Sequence, residues 1–527
     1  MSRLVNGRQP HFHQHRFRKP RSSTGIGNDG KASLLTEILS MADFSRTHPL
    51  SGFFAPTRFE ADVIDCVVTG AIPSELDGAF YRMHGDWIYA PKFTDEPSLS
   101  ADGYISMLRF RDGSVDYRGR YVKTDRYLRQ VAARKQLYGY YRNPYSDDPE
   151  VRDIARPNLR TAANTTPVVL AGKLYATKEE GLPYEIDPNT LETRGPSDFL
   201  GSWPSLTFTA HPKFDFFTGE TVAYGYESTG LATNDVHVAA FDRTGRVTWS
   251  LDFQVPYASM LHDMALTKDF VVIPGGGTVT SLERLEAGRP HWAWDSKRPS
   301  YYAIIPRGGR TEDVRIFEGP ERSIVHTANA WNDGEKLVLD APIADGNTWP
   351  WFEDVDGGAF AMNIFTIRRI TFDLRSNSNK PTEDVLFDRD VTSFTRIDDR
   401  FLTRPNRYIW VQYADPDRPF HAALPEDPRV RPVNCYGRFD LVSGTDLAWF
   451  AGPDHVLQEP LFVPRTPHAD EGDGYLIGTM HNLVELRTEI VILDAMKMLE
   501  IGRVILPFRN PYQVHGTWAG PRDLALT

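Results

Sequence analysis

Ile105-Ser-Met-Leu-Arg-Phe-Arg-Asp-Gly113 nearly alternates apolar and polar side chains and ends in Asp-Gly. A period of two turns one face of a strand inward, and Asp-Gly is a strong two-residue hairpin signal. The same texture recurs in Gly78-Ala-Phe-Tyr-Arg-Met83, Thr221-Val-Ala-Tyr-Gly-Tyr226 and Val236-His-Val-Ala-Ala-Phe-Asp242. From Phe59 onward, short runs rich in Val, Ile, Tyr, Phe and Thr are closed by Gly, Pro, Asn and Asp. Many short strands closed by turn residues predict an all-β chain. Sustained over this length, the pattern favours a β-propeller over a single sandwich. No strict repeat supports that choice. One stretch breaks the texture: Thr124 to Leu137 carries Tyr127, Leu128, Val131 and Leu137 at helical spacing and predicts a helix.

The chain has 527 residues, 41% hydrophobic and 24% charged, the composition of an ordinary globular protein with ample material for a core. Its formal net charge of −11 disfavours nucleic acid, which calls for a basic face. No run approaches the roughly 18 apolar residues that span a bilayer. Cys66 and Cys435 are too few for a disulfide framework, which fits a reducing, cytoplasmic setting, and too far apart for a thiolate metal site. Residues 1–40 are basic, with His11, His13 and His15 ahead of Arg16, Arg18, Lys19 and Arg21. Without apolar periodicity they predict a disordered extension. They read either as an upstream extension with Met41 as a natural start, or as a targeting or metal-capturing segment. Residues 41–527 read as one domain. Monomer and homodimer both stay open.

Four histidines lie in short strand-like settings: His211 in Ala-His-Pro-Lys-Phe-Asp, His262 in Met-Leu-His-Asp-Met, His326 in Val-His-Thr-Ala-Asn-Ala-Trp and His515 in Val-His-Gly-Thr-Trp. Their intervals are long and unequal, so no single helix or hairpin unites them. Strands from separate propeller blades, each facing the central axis, would. A histidine in an apolar strand is more often a satisfied core residue, and spacing alone does not decide. Other motifs carry little. Gly275-Gly-Gly-Thr278 has no phosphate-binding lysine after it and reads as a turn, and neither a nucleophile elbow nor a dinucleotide fingerprint is present.

These segments resemble the carotenoid cleavage oxygenase family, and within it the branch that cleaves lignostilbene, other stilbenes and isoeugenol. Further matches are Tyr141-Arg-Asn-Pro-Tyr, Lys178-Glu-Glu-Gly-Leu-Pro-Tyr-Glu, Glu459-Pro-Leu-Phe-Val-Pro-Arg and Leu506-Pro-Phe-Arg. The resemblance runs from about Phe53 to Trp518. It implies a seven-bladed β-propeller with a helical and loop cap over a central Fe(II) held by His211, His262, His326 and His515. Imidazole suits iron, and four neutral nitrogens leave octahedral positions for dioxygen, whereas zinc with four histidines would be closed.

The resemblance also implies three glutamates behind the histidines. Glu179 and Glu459 match two of them, and Ser393 stands where the third is expected, which predicts a weaker grip on iron or a shifted potential. Thr165 matches a threonine whose methyl crowds the remaining coordination position; strand packing would explain it equally. Tyr141 and Lys178 match the pair that holds the substrate's 4-hydroxyl, with Tyr145 as the fallback. A lysine ammonium beside a phenol favours phenolate. Leu99 stands about where an aromatic wall residue is common. The implied reaction is oxidative cleavage of the C=C bond of a 4-hydroxystilbene of the lignostilbene or resveratrol type, giving two carbonyl products. The alternatives are side-chain cleavage of isoeugenol or 4-vinylguaiacol, cleavage of an apocarotenoid, or an inactive binding propeller.

Overall fold

The computed structural model describes Phe44, Leu50 and residues 54–526, apart from Asp95, Ala359, Met362 and 422–432. The predicted N-terminal extension therefore lies outside the described residues. Among the described residues strands dominate, in six sheets of four strands or more and one small pair. The opening stretch folds as its pattern predicts. Asp102–Arg111 pairs antiparallel with Ser114–Tyr121, Arg111 opposite Ser114. The two linking residues, Asp112 and Gly113, both take positive φ (51° and 79°), the mirror-image turn whose twist matches the strands it joins.

Within a sheet, burial falls from one edge to the other. Thr221–Tyr226 is buried along its whole length, while Val247–Gln254, two strands further out, alternates with solvent. Fully buried strands read as continuous apolar runs and half-buried ones alternate, so the sequence texture records distance from the centre. The seven-stranded sheet divides inside Thr382–Arg396. Residues 382–391 of that strand pair with Phe365–Asp373, and residues 391–396 pair with Tyr408–Tyr413. One long strand thus serves two four-stranded groups. These are β-propeller sheets, and propellers leave only short, protected edges.

Two seams tie the chain's beginning to its end. Val67–Gly70 completes the sheet of Leu499–Ile505, and the last strand, Gln513–Ala519, pairs with Gly78–Asp86. The second seam carries His515 into the structure. It is tight: a Cβ on Gly78 would stand 2.7 Å from the Ala519 carbonyl oxygen and 2.5 Å from the Trp518 ring.

The helix is shorter than its pattern predicts and turned differently. It spans Asp125–Ala133, with Thr124 capping it by accepting Tyr127 N–H at 3.1 Å and Arg134 closing it at φ 55°. Leu128 and Val131 face solvent, while Arg126 and Gln130 are buried. The buried face is polar because it has polar work: Arg126 donates to the Ser100 carbonyl and Gln130 to Asp102 at 2.8 Å. A polar anchor has replaced the apolar stripe, which helical spacing alone cannot distinguish.

Gly78→Ala should therefore overpack the second seam and lower unfolding stability by about 1–3 kcal/mol. A melting curve unchanged from the parent would show that this strand pairing does not limit stability.

Candidate metal centre

Three of the four histidines occupy equivalent places. His211, His262 and His326 lie two or three residues ahead of Lys213–Phe214, Ala265–Leu266 and Asn329–Asp333, each the first strand of its sheet. His515 lies within Gln513–Ala519. Four segments far apart in sequence thereby meet, with one ligand atom of each histidine within 4.8 Å of all the others. His262 Nε2 is 3.1 Å from His211 Nε2 and 3.2 Å from His326 Nε2. The rings stand edge to face, with centroids 4.5 to 5.1 Å apart.

The ring nitrogens facing outward explain which atoms face inward. His262 Nδ1–H donates to Glu179 Oε1 at 2.9 Å, and His515 Nδ1–H to Glu459 Oε1 at 3.0 Å. Burial alone would raise both carboxyls. Glu179 is instead pulled well below the usual carboxylate range by His262 and Lys178, and Glu459 to about 2 by Arg396, His515 and Arg82. Both are ionised acceptors, so each ring keeps a proton on Nδ1 and turns Nε2 toward the centre, and burial lowers His515 from its ordinary value and keeps that ring neutral. His326 Nδ1 lies 3.1 Å from Ser393 Oγ. Burial, and then the neighbouring imidazoles, hold His211 and His326 far below the ordinary histidine range, so these rings are neutral too. His515 Nε2 is buried without a hydrogen-bond partner among the described residues. Electron pairs crowded this closely repel unless a cation lies between them. The donor set fits a metal ion, and the two shortest nitrogen separations approach the roughly 3.0 Å edge of a 90° set with metal–nitrogen bonds of about 2.1 Å.

Glu179, Ser393 and Glu459 each approach a different ring. Glu459 also accepts Gly516 N–H at 3.2 Å and is paired with Arg396 at 2.9 Å, so ring and backbone of the last strand are held together. Phe394 packs against His326 and His515, with centroids 5.0 and 5.3 Å away.

The polar pair lies beside this centre. Lys178 is 1% exposed and its ammonium stands over the Tyr141 ring, 4.5 Å from the centroid. The Tyr141 hydroxyl is buried and has no partner among the described residues. Burial raises Tyr141 and lowers Lys178 from their ordinary values, with Glu180 and Glu179 opposing the second shift. The loop thus sets Tyr141 against the lysine. Thr165 is buried and bonded to Asn164 Oδ1 at 3.2 Å. Leu99 packs into the same apolar cluster as Tyr141, Met260, Phe352 and Trp349.

A small cavity opens onto His262 between Met260, Trp294, Val325 and Trp349. Gly276 and Gly277 line it, so the glycine run read as a turn is a thin wall where side chains would strike the Arg322 and Asp295 carbonyls. Trp349, Trp294 and Met260 gave no sign in sequence; they are brought to the cavity by tertiary packing. Asn164 was visible only as the neighbour of Thr165.

Comparison with known proteins gives the family. Residues 54–520 match the family model described as retinal pigment epithelial membrane protein. The chain belongs to the carotenoid cleavage oxygenase family. It is 38% identical to lignostilbene-alpha,beta-dioxygenase isozyme III of Sphingomonas paucimobilis over 92% of this chain and all of that one. It is 37% identical to isoeugenol monooxygenase of Pseudomonas putida, covering 91% and 99% of the two chains. The crystal structure of Pseudomonas brassicacearum lignostilbene dioxygenase superposes with a TM-score of 0.86 at 35% identity, covering 91% and 99%.

Outer partners of metal-bound histidines typically change metal affinity 10- to 100-fold. Ser393→Glu should therefore tighten the centre by about that factor, measured by competition with a chelator, and His515→Ala should abolish stoichiometric metal. Equal affinity in Ser393→Glu would remove Ser393 as a determinant of metal retention.

Proposed function

We propose that this protein is an Fe(II)-dependent dioxygenase that cleaves the C=C bond joining the rings of a 4-hydroxystilbene of the lignostilbene or resveratrol type. The products are two carbonyl compounds, at least one an aromatic aldehyde. The observation that carries the reading is the buried Tyr141–Lys178 pair, with an unpartnered hydroxyl and a cation beside the four-histidine centre. A desolvated cation and a hydroxyl donor together suit a phenol oxygen. The relatives named for lignostilbene, resveratrol and isoeugenol support the same chemistry.

Lys178 favours the phenolate form of the bound ring, and Tyr141 donates to the same oxygen. Electron density then moves from that oxygen through the ring into the conjugated double bond, which becomes nucleophilic. His211, His262, His326 and His515 would hold the iron, whose chemistry is to bind and activate dioxygen. Both atoms of O2 end in the carbonyl products, so no external reductant enters. Glu179, Ser393 and Glu459 keep the imidazoles aimed, Thr165 bounds the open coordination side, and Leu99 with Trp349 supplies apolar wall. Holding alkene and oxygen side by side provides much of the acceleration.

Side-chain cleavage of isoeugenol or 4-vinylguaiacol is the second reading. Two relatives named isoeugenol monooxygenase, each 37% identical to this chain, favour it. We read the divided seven-stranded sheet as two blades of a seven-bladed propeller, capped by the helix and loops between Val122 and Thr165. Residues 41–527 form its one domain and residues 1–40 an extension. Two buried free cysteines fit the cytoplasm. Among the described residues no helix is long and apolar enough to cross a membrane.

Iron-loaded protein incubated under oxygen with resveratrol, isoeugenol and an apocarotenal should give 4-hydroxybenzaldehyde- or vanillin-type products from the phenols. Lys178→Ala should lower kcat/KM about 10²-fold, and Tyr141→Phe roughly tenfold. Full turnover in Lys178→Ala, or cleavage of the apocarotenal alone, would defeat the phenol reading.

A further inference from the structure

Lys178 is the group on which the proposed chemistry turns, yet a four-carbon side chain does not by itself fix where its charge sits. Among the described residues its ammonium has one hydrogen-bond partner, Asn164 Oδ1, at 2.8 Å. That same oxygen accepts Thr165 Oγ–H at 3.2 Å. The two amide hydrogens donate to the Leu99 carbonyl at 3.0 Å and the Ala101 carbonyl at 2.8 Å. Asn164 is 3% exposed, and its two donors and two acceptor positions are all used. The reverse amide orientation would set an oxygen against two carbonyls and an NH2 against an ammonium, so this one is fixed.

Leu99 and Ala101 belong to the short turn around Ser98–Ser100, whose Leu99 packs into the cluster that contains Tyr141 and Trp349. Asn164 therefore ties three things to one plane: the lysine, the Thr165 hydroxyl and the apolar wall. The remaining Lys178 donors are left for a ligand oxygen beside Tyr141.

Resting on the phenol reading above, we infer that Asn164 is the positioning residue that sets Lys178 in register with Tyr141 and the Leu99 wall, and so determines selectivity for a free 4-hydroxyl. Asn164 does not touch the reacting atoms; it acts through the lysine. Displacing such a group by an ångström can cost about 10²-fold in rate.

The test compares wild type, Asn164→Ala, Asn164→Ser, Lys178→Ala and Asn164→Ala/Lys178→Ala, each with measured iron content and melting temperature. A 4-hydroxystilbene and its 4-methoxy analogue serve as substrates. The absorbance of the bound 4-hydroxystilbene reports its phenolate fraction against pH. In Asn164→Ala, with iron retained, kcat/KM for the 4-hydroxy substrate should fall between 10- and 100-fold. The 4-hydroxy to 4-methoxy ratio should collapse toward that of Lys178→Ala, and the bound phenol should ionise at higher pH. The double variant should lose little beyond Lys178→Ala alone. Asn164→Ser carries the same expectations should the alanine variant not fold. A wild-type selectivity ratio and phenol titration in the Asn164 variants, or losses that multiply in the double variant, would overturn the inference while leaving the phenol reading intact. Full activity of Lys178→Ala would overturn both.

Discussion

Four imidazole lone pairs aimed at one point repel one another, and holding them there against that repulsion is the constraint on which the rest of the structure depends. No single local element can do it, because the histidines come from segments 51, 64 and 189 residues apart. A ring of sheets can, since every sheet brings one edge to the same axis. His211, His262 and His326 repeat the same position ahead of an edge strand, and His515 enters on the strand that closes the ring. Closure and metal site are thus one problem. The seam between Gly78–Asp86 and Gln513–Ala519 joins first sheet to last strand and delivers the fourth donor.

The rings are held from outside by groups that differ in charge. Glu179 and Glu459 are ionised, and each has cations of its own: Lys178 for the first, Arg396 and Arg82 for the second. Ser393 behind His326 is neutral, and His211 is the ring with neither carboxylate nor hydroxyl recorded at Nδ1 among the described residues. With no carboxylate among the ligands and the nearest anions already paired, a dication here keeps most of its charge.

Much of the fold was legible because strand texture and Asp-Gly turns are local properties, as Ile105–Gly113 shows. The helix was legible in place but not in facing, since Arg126 and Gln130 bury through hydrogen bonds to Ser100 and Asp102 that no periodicity encodes. The four histidines were visible as candidates, and only resemblance joined them. Their partners Glu179, Ser393 and Glu459 lie 83, 67 and 56 residues from the rings they touch. Trp349, Trp294 and Asn164 stayed hidden for a different reason: aromatic packing and amide bonds to main-chain carbonyls leave no spacing rule behind.

Lys178 and Glu179 are neighbours that serve different partners. The lysine reaches the Tyr141 ring and Asn164, while the glutamate takes the His262 proton. One peptide unit thus links the Tyr141–Lys178 pair to the metal centre, and a peptide is planar and stiff. Any shift of this segment moves the proposed substrate anchor and a metal-supporting carboxylate together. Their charges are also coupled: burial lowers Lys178, with Glu180 and then Glu179 opposing it, and Lys178 adds to His262 in holding Glu179 ionised. A polar pocket built on a separate loop could drift relative to the metal. Built on adjacent residues at the end of strand Lys173–Thr177, it inherits the rigidity of the sheet, and the distance between the Tyr141–Lys178 pair and the four histidines becomes a property of the fold.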